Sequence, residues 1–409
     1  METTTQNKNW KKETALFLAG QTVSIFGTSL VQYAILWYIT LGTQSGVMMM
    51  ISVVVGFLPT FFLAPFAGVW ADRFDRKKLI IIADLAIALT TLIAAILFWS
   101  GHDGLWILFT MSGIRAFGTA VQTPAVGAFL PQIVPEDKLM RVNGINGSLQ
   151  SIIMIASPMI SGALLTFSPI STIFMIDVVT AVIAVSILVV LKVAPHAKAL
   201  EKGKIDYFSD LKEGVKYVRE HSFLTRFFIF TAFFNIFITP AATLTPLQTA
   251  RTFGADVWRL TAIEIAFSVG MLFGGIIIAS WGGFKNRMLS MAIATFILGG
   301  LTVALGLVPI FWIYVALMAL IGIVIPLFNT PATVLLQEKV ESAYLGNVFG
   351  VMTMIYSSMM PLGMIIFGPL ADIIAIEWLL IITGTLIAVQ GFFLLGSKVL
   401  MAAGEAKTS

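Results

Sequence analysis

The sequence predicts an all-α membrane protein whose twelve transmembrane helices form two pseudo-symmetric six-helix bundles. Three observations carry that expectation. Of 409 residues, 58% are hydrophobic and 11% charged, with a mean hydropathy of +0.95, which excludes an ordinary water-soluble globule. The apolar residues fall in runs long enough for membrane helices, roughly 20 residues each. Basic residues collect in every second loop between those runs, as the positive-inside rule requires.

In chain order the runs cover residues 14–40, 46–70, 79–100, 105–130, 145–167, 169–191, 222–249, 258–281, 288–307, 310–335, 347–371 and 377–398. If odd-numbered helices start on the cytoplasmic side, 22 of the 25 Lys and Arg fall in cytoplasmic segments. Arg251 and Arg259 fall outside, and Arg115 falls within the fourth run. This asymmetry places both termini in the cytoplasm of a multi-pass plasma-membrane protein. The expected division is residues 1–191, a first bundle; 192–221, a cytoplasmic linker; and 222–409, a second bundle. Within the linker Phe208, Leu211, Val215 and Val218 recur at helical spacing opposite Lys212, Lys216 and Arg219, which predicts a basic amphipathic helix on the membrane surface.

Composition also removes classes of function. The chain has no Cys and three scattered His, so disulfides, thiolate chemistry and a metal site are not expected. No phosphate-binding glycine loop is present, and no nucleophile and base stand at a recognisable spacing, so the chain does not read as an ATPase or another enzyme. A pI of about 9.2 reflects orientation signals in short loops rather than a nucleic-acid-binding face. The first thirteen residues are polar and the run after them exceeds a signal-peptide core, so no cleavage is expected.

The halves repeat each other. Gly56, Leu58, Gly68 and Arg73 recur 214 residues later as Gly270, Leu272, Gly282 and Arg287. Gln122-Thr123-Pro124-Ala125 is matched by Asn329-Thr330-Pro331-Ala332. Recurrence of this kind is the architecture of secondary transporters. On the first match Asn286 stands where Asp72 was, which predicts a gate held more strongly by the first half.

The stretch Gly68-Val-Trp-Ala-Asp72-Arg73-Phe-Asp75-Arg76-Lys77-Lys78 is too charged for hydrocarbon and marks a return to water. It resembles the loop between the second and third helices of the major facilitator superfamily, with Asp75 where the family usually has Gly. Gly68, Asp72, Arg73, Arg76 and Lys77 are thereby expected to form a gating loop, with Asp84 as a partner for its cations. Arg115-Ala-Phe-Gly118-Thr119-Ala120 resembles the fourth-helix motif of the same superfamily, and Gly144, Pro158 and Gly162 match the antiporter signature in part. Ile153, Ser157 and Ser161 replace its glycines. Ala19-Gly20-Gln21, Gly56-Phe57-Leu58-Pro59, Thr123-Pro124-Ala125, Ser148-Leu149-Gln150-Ser151 and Gln337-Glu338-Lys339 resemble the macrolide-efflux branch nearly end to end. That resemblance implies the major facilitator fold and proton-driven export of macrolide-like drugs. It also implies cooperation with a soluble ATP-binding resistance protein.

Ionisable residues inside the runs are functional candidates because each is costly there. Arg115 would act on a nearby carboxylate or an anion, since guanidinium keeps its proton; alternatively it pairs permanently with carbonyls. Glu264 would exchange a proton or face a cationic drug, or would pair with Arg259. Asp177 is a third candidate for proton coupling, or packs against a polar neighbour. Asp372 belongs at the interface. By fold analogy helices one, four, seven and ten line the central cavity. Gln21, Gln32, Gln122, Asn235 and Asn329 lie on them and are candidates for orienting substrate. The expected partners are the bilayer, an amphipathic drug and protons, with no cofactor, no metal and no nucleic acid; a monomer is expected.

Overall fold

The computed structural model describes residues 10–191, 193, 207–341 and 344–405; the side chains of 64, 65, 68, 69, 72, 136 and 207–212 lie outside that description. The described residues are helical almost throughout. The first half contributes α1 (Trp10–Thr43), α2 (Gly46–Arg73), α3 (Arg76–Trp99), α4 (Leu105–Ile133), α5 (Leu139–Phe167) and α6 (Ile170–Val190). The second contributes α7 (Tyr207–Glu220) and α8 (Ser222–Thr239), a π turn (Pro240–Leu244), and then α9 (Thr245–Thr252), α10 (Val257–Trp281), α11 (Arg287–Leu307), α12 (Phe311–Lys339), α13 (Leu345–Leu370), α14 (Ile376–Gly396) and α15 (Lys398–Gly404).

Among the described residues eleven helices are long and apolar enough to cross a bilayer, α8 to α9 counting as one. The remaining long helix is α4, with 29 residues. Its length suffices, but Arg115, Gln122 and two prolines dilute its hydropathy. Exposed Trp99, Trp106, Trp258, Trp281, Trp312 and Trp378 sit at helix ends, where amphipathic rings favour the membrane interface. The fifth helix begins at Leu139 rather than near 145. Its first two turns carry Arg141 and Asn143, so hydropathy alone understates it.

The chain forms two compact units, Met1–Tyr38 with Val55–Ile205, and Ile39–Val54 with Asp206–Ser409. In the first, α3 packs on α4 and α6. Phe17, Phe129, Leu130, Ile133, Val142 and Leu188 form an apolar cluster near the end of the bundle that carries the chain's N-terminus. There Arg76 folds back on the carbonyls of Ala71 (3.0 Å) and Ala128 (2.9 Å), and Lys77 ties to those of Val189 and Leu191. Asp75 caps α3 by accepting from the Lys78 amide at 3.2 Å. Arg73 is exposed, and Gly68 and Asp72 fall within α2 with surroundings outside the described residues.

The second unit revises the repeat. Asn286 caps α11, accepting from Met288 and Leu289 amides, and Arg287 folds back on the carbonyl five residues earlier, Gly282. Asp75 and Arg76 do the same for α3. The structural counterpart of Asn286 is therefore Asp75, not Asp72, because a side-chain cap fixes the register at a helix start. Gly282 ends α10 with φ +74, the left-handed conformation that favours glycine. The amphipathic helix α7 packs on α13: Tyr217 stacks on Tyr344 at 4.4 Å between centroids, and Gly214 abuts the backbone of Asn347. Lys216 and Arg219 are exposed and Val218 buried, as expected, whereas Phe208, Leu211 and Lys212 lie outside the described side chains. A short helix, α15, was not anticipated; Asn286 holds it by donating to the Met401 carbonyl at 2.9 Å.

Two seams of small residues bind this unit. A Cβ on Gly270 would strike the backbone of Ala319, and one on Gly322 that of Phe267, so α10 and α12 touch main chain to main chain. Gly299 and Gly384 repeat the device between α11 and α14, with a Cβ on either meeting the other's carbonyl at 2.7 or 2.8 Å. In lipid, where apolar burial does not drive helices together, this close packing does.

The segment between α1 and α2 also belongs to the second unit, and Asp372 holds it. The carboxylate accepts from the Ser45 hydroxyl (2.7 Å) and from the amides of Gly46 (2.7 Å) and Val47 (3.0 Å), and pairs with Arg251 at 2.7 Å. Arg251 also donates to the carbonyls of Gln44 and Ala371. Arg259, the other cation outside the basic loops, pairs with Asp256 at 3.2 Å. Desolvation pushes the Asp372 carboxyl up, but bonds from Val47, Gly46, Ser45 and Arg251 outweigh it and hold the group at about 2, below its ordinary 3.8.

Gly270→Leu is expected to lower the thermal midpoint of the purified protein in detergent, by the equivalent of about 1–3 kcal/mol or more. Gly275→Leu, where a Cβ meets nothing within 4 Å, should leave it near wild type. Because the Asp372 carboxyl is held low, its stabilisation is complete above pH about 3.8 and is lost as pH falls toward 2. Tryptophan-fluorescence melts across that window should show an acid-dependent step in wild type that is smaller in Asp372→Asn.

Candidate functional site

The interior of the first unit holds three buried ionisable side chains: Asp84 on α3, Arg115 on α4 and Asp177 on α6. They are organised along the antiparallel α3–α4 seam. Seven residues separate Asp84 from Thr91 and seven separate Arg115 from Gln122, so the seam carries two polar rungs two turns apart, roughly 10 Å. Gly118 lies between them, where a Cβ would meet Ile87 at 2.6 Å. Only a glycine lets the two helices come close enough for both rungs to close.

In the first rung Arg115 pairs with Asp177 and donates to Thr91 Oγ1, while its other terminal nitrogen reaches the Thr28 carbonyl at 3.4 Å. Thr91 in turn donates to Asp177 Oδ2 at 3.1 Å. Gly27 on α1 lies against Asp177 and Thr180, since a Cβ there would come within 3.0 Å of Asp177 Oδ1. Arg115 and Asp177, read separately from the sequence, are thus one buried ion pair. Asp177 has a partner on α4 despite its place on a peripheral helix.

The second rung corrects an expectation. Asp84 does not meet the cations of the 76–78 loop, which are engaged with carbonyls or turned to solvent. It is buried, and its Oδ1 accepts from Ser24 Oγ (3.1 Å) and Gln122 Nε2 (2.5 Å). Its helix rises two turns from Arg76 to Asp84, which carries the carboxylate beyond reach of the loop. Gln122, read as a substrate ligand, is spent on this carboxylate.

The second unit offers a different kind of group. Glu264 lies on α10, partly buried. Arg259 does not neutralise it: that guanidinium pairs with Asp256 and stacks on Trp258 and Phe311, 5.2 and 5.8 Å from their ring centroids. Among the described residues no hydrogen bond or ion pair to the Glu264 carboxylate is present. Asn235 on α8 donates to the Thr231 carbonyl at 2.8 Å. Gln32 and Asn329 are exposed on α1 and α12, and Gln21 is buried with its Nε2 unpartnered. Within the first unit a groove of about 730 Å³ opens between the ends of α1 and α5, walled by Trp10, Leu18 and Leu149 and rimmed by Lys11, Lys138 and Arg141. None of the sequence candidates lines it.

Residues 17–364 match the model of the Major Facilitator Superfamily. The chain belongs to that superfamily. The transporter is 32% identical to macrolide efflux protein A of Streptococcus pyogenes over 382 residues, 93% of this chain and 94% of the relative. It is likewise 32% identical to macrolide efflux protein A of Enterococcus faecalis, over 76% of this chain and 97% of that one. Among solved structures the nucleoside transporter NupG superposes with a TM-score of 0.67 at 15% identity, covering 92% of this chain and 98% of that one. A bacterial homologue of the iron transporter ferroportin, in its inward-facing state, superposes with 0.70 at 15% identity, covering 94% and 99%. The two structures support the fold alone, and the relatives place the transporter beside macrolide efflux proteins.

Sequence reasoning missed Ser24, Thr28 and Thr91. Nothing in the sequence gave Ser24 or Thr28 a role. Nothing distinguished Thr91 from other hydroxyls in apolar helices until the pairing of α3 with α4 set it beside Arg115. Removing one partner of a buried pair leaves an uncompensated charge, a cost of about 3–5 kcal/mol, whereas neutralising both is far milder. Arg115→Met should therefore sharply lower folded yield and thermal midpoint by size-exclusion and melting assays. Arg115→Met combined with Asp177→Asn should recover most of the loss.

Proposed function

We propose that this transporter exports macrolide-like amphipathic drugs from a bacterial cell in exchange for protons, by alternating access in the plasma membrane with both termini in the cytoplasm. The relatives named above support the substrate class. Confinement of 22 of 25 Lys and Arg to one set of loops supports the orientation, and the three exceptions, Arg115, Arg251 and Arg259, are each paired with an Asp.

One observation carries the exchange mechanism: Glu264, a membrane-embedded carboxylate with no partner among the described residues. A lone carboxylate in that setting must hold a proton or a cation. A drug bearing a basic amine and a proton then compete for one group, and that competition is what an antiporter requires. Arg115 cannot play this part, because a guanidinium keeps its proton and this one is paired with Asp177. We assign the Arg115–Asp177 pair to holding α1, α3, α4 and α6 together, so that its effect on coupling runs through position. Gln32 and Asn329, exposed and without a side-chain donor bond to the protein in the structure described, are better placed to orient a substrate than Gln122 or Asn235. Alternating access also needs contacts that exchange easily. The Asp372 cluster is polar and partly exposed, and so suits that role better than the buried pair.

Cells expressing the chain are expected to accumulate less radiolabelled macrolide than controls, with a protonophore abolishing the difference. Glu264→Gln should reach the membrane at normal levels yet lose drug-dependent proton movement, as read by an internal pH dye in vesicles. Normal coupling in that variant would remove Glu264 from the mechanism; unchanged macrolide accumulation in well-expressing cells would redirect the search to other substrates.

A further inference from the structure

Charge does not balance in the interior of the first unit. Arg115 and Asp177 neutralise each other, and Asp84, 2% exposed, remains. The groups facing it are neutral or already matched: Ser24 from α1, Gln122 from α4, Thr91 two turns along its own helix, and Asp177, which belongs to Arg115. Arg76 and Lys77, two turns nearer the start of α3, are held by backbone carbonyls. An uncompensated carboxylate in such a place costs several kcal/mol.

The geometry of the bonds is informative. Both donors, Ser24 Oγ and Gln122 Nε2, converge on Oδ1, whereas Oδ2 is buried and has no partner among the described residues. An ionised carboxylate presents two equivalent acceptor oxygens, and a neutral acid presents one carbonyl oxygen that accepts and one hydroxyl. The asymmetry fits the acid, with Oδ1 as the carbonyl that accepts both bonds and Oδ2 as the hydroxyl, which finds no acceptor among the described residues.

We propose that Asp84 is a second proton-binding site of this transporter, built from Ser24, Asp84 and Gln122 within the first unit and separate from Glu264. Its use in transport rests on the proton-driven reading above; its existence does not. When the proton leaves, the negative charge sits two turns from Arg115, on the same seam, and competes with Asp177 for the guanidinium. Protonation of Asp84 therefore sets how firmly the Arg115 rung holds α1 and α6. Gln122 and Ser24 act as positioning residues that report which form is present.

The test is pH-difference infrared spectroscopy of the full-length protein reconstituted in liposomes, read at the carbonyl band of protonated carboxyl groups. Wild type should show a titrating band that is lost in Asp84→Asn and kept in Glu264→Gln. Gln122→Leu should shift its frequency, because one donor to the carbonyl oxygen is gone, and a band so shifted supports the site even if Asp84→Asn folds poorly. A spectrum of folded Asp84→Asn identical to wild type would overturn the proposal. So would a band that Gln122→Leu does not move. If Asp84→Asn removes the band while Glu264→Gln transports normally, the second site stands and the role given to Glu264 falls. The reverse pattern rejects this site alone.

Discussion

Charge in hydrocarbon has to be paired, neutralised by a proton or returned to water, and the placement of nearly every charged residue in this chain follows from that. The cations of the 73–78 and 285–287 loops sit where helices leave the membrane. Arg251 and Arg259, at the opposite ends of their helices, each carry an Asp. Arg115 lies deep and is paired with Asp177, with further bonds to Thr91 and a carbonyl. Asp84 and Glu264 have no cation partner among the described residues, and theirs are the charges proposed to come and go with a proton. Structural and functional ionisable groups separate here by their partners rather than by their depth.

The two units weight two packing devices differently, although the second also holds a buried polar link in which Gln248 donates to the Leu305 carbonyl and accepts from Tyr314. In the first, buried hydrogen-bonded rungs tie α1, α3, α4 and α6, and Ser161 bonds the Leu30 carbonyl across to α1. Such bonds are directional, and each is modest in strength because partners remain available in the unfolded helices. In the second, glycines at 270, 322, 299 and 384 let backbones touch, and the attraction is dispersion spread over long seams. A group that changes protonation perturbs the first kind of packing strongly and the second hardly at all. The two carboxylates without a cation accordingly sit in unlike surroundings: Asp84 buried within a polar rung, Glu264 partly buried on an apolar helix.

Much of this was legible in the residues. Twelve apolar runs, the loop charges and the duplicated strings gave the helices and the family, because solvent partitioning acts on each segment separately. Arg115, Asp177 and Glu264 could be singled out one at a time for the same reason. What could not be read was pairing. Asp84 was matched to the nearest cations along the chain, whereas its partners, Ser24 and Gln122, come from two other helices. The repeat was aligned on Gly68 and Gly282, and only the caps at Asp75 and Asn286 showed the structural register. Helix α15, with 7 residues, is too short, and the first turns of α5 too polar, for the criterion by which the runs were cut.

The hold of Asp372 on residues 45–47 has a further consequence for how the chain is made. Its hydrogen bonds join residues 325 to 327 apart in sequence. During synthesis the turn between α1 and α2 enters the membrane early, and its acceptor emerges only after α13 has been inserted. Until then the amides of Gly46 and Val47 and the hydroxyl of Ser45 have only water and headgroups for partners. The turn, made near the beginning, thus waits on a carboxylate made near the end, so a truncated chain lacking α13 and Asp372 leaves that turn unsealed. Long-range closure of this kind slows assembly, and the turn is a feature by which an unfinished transporter differs from a finished one.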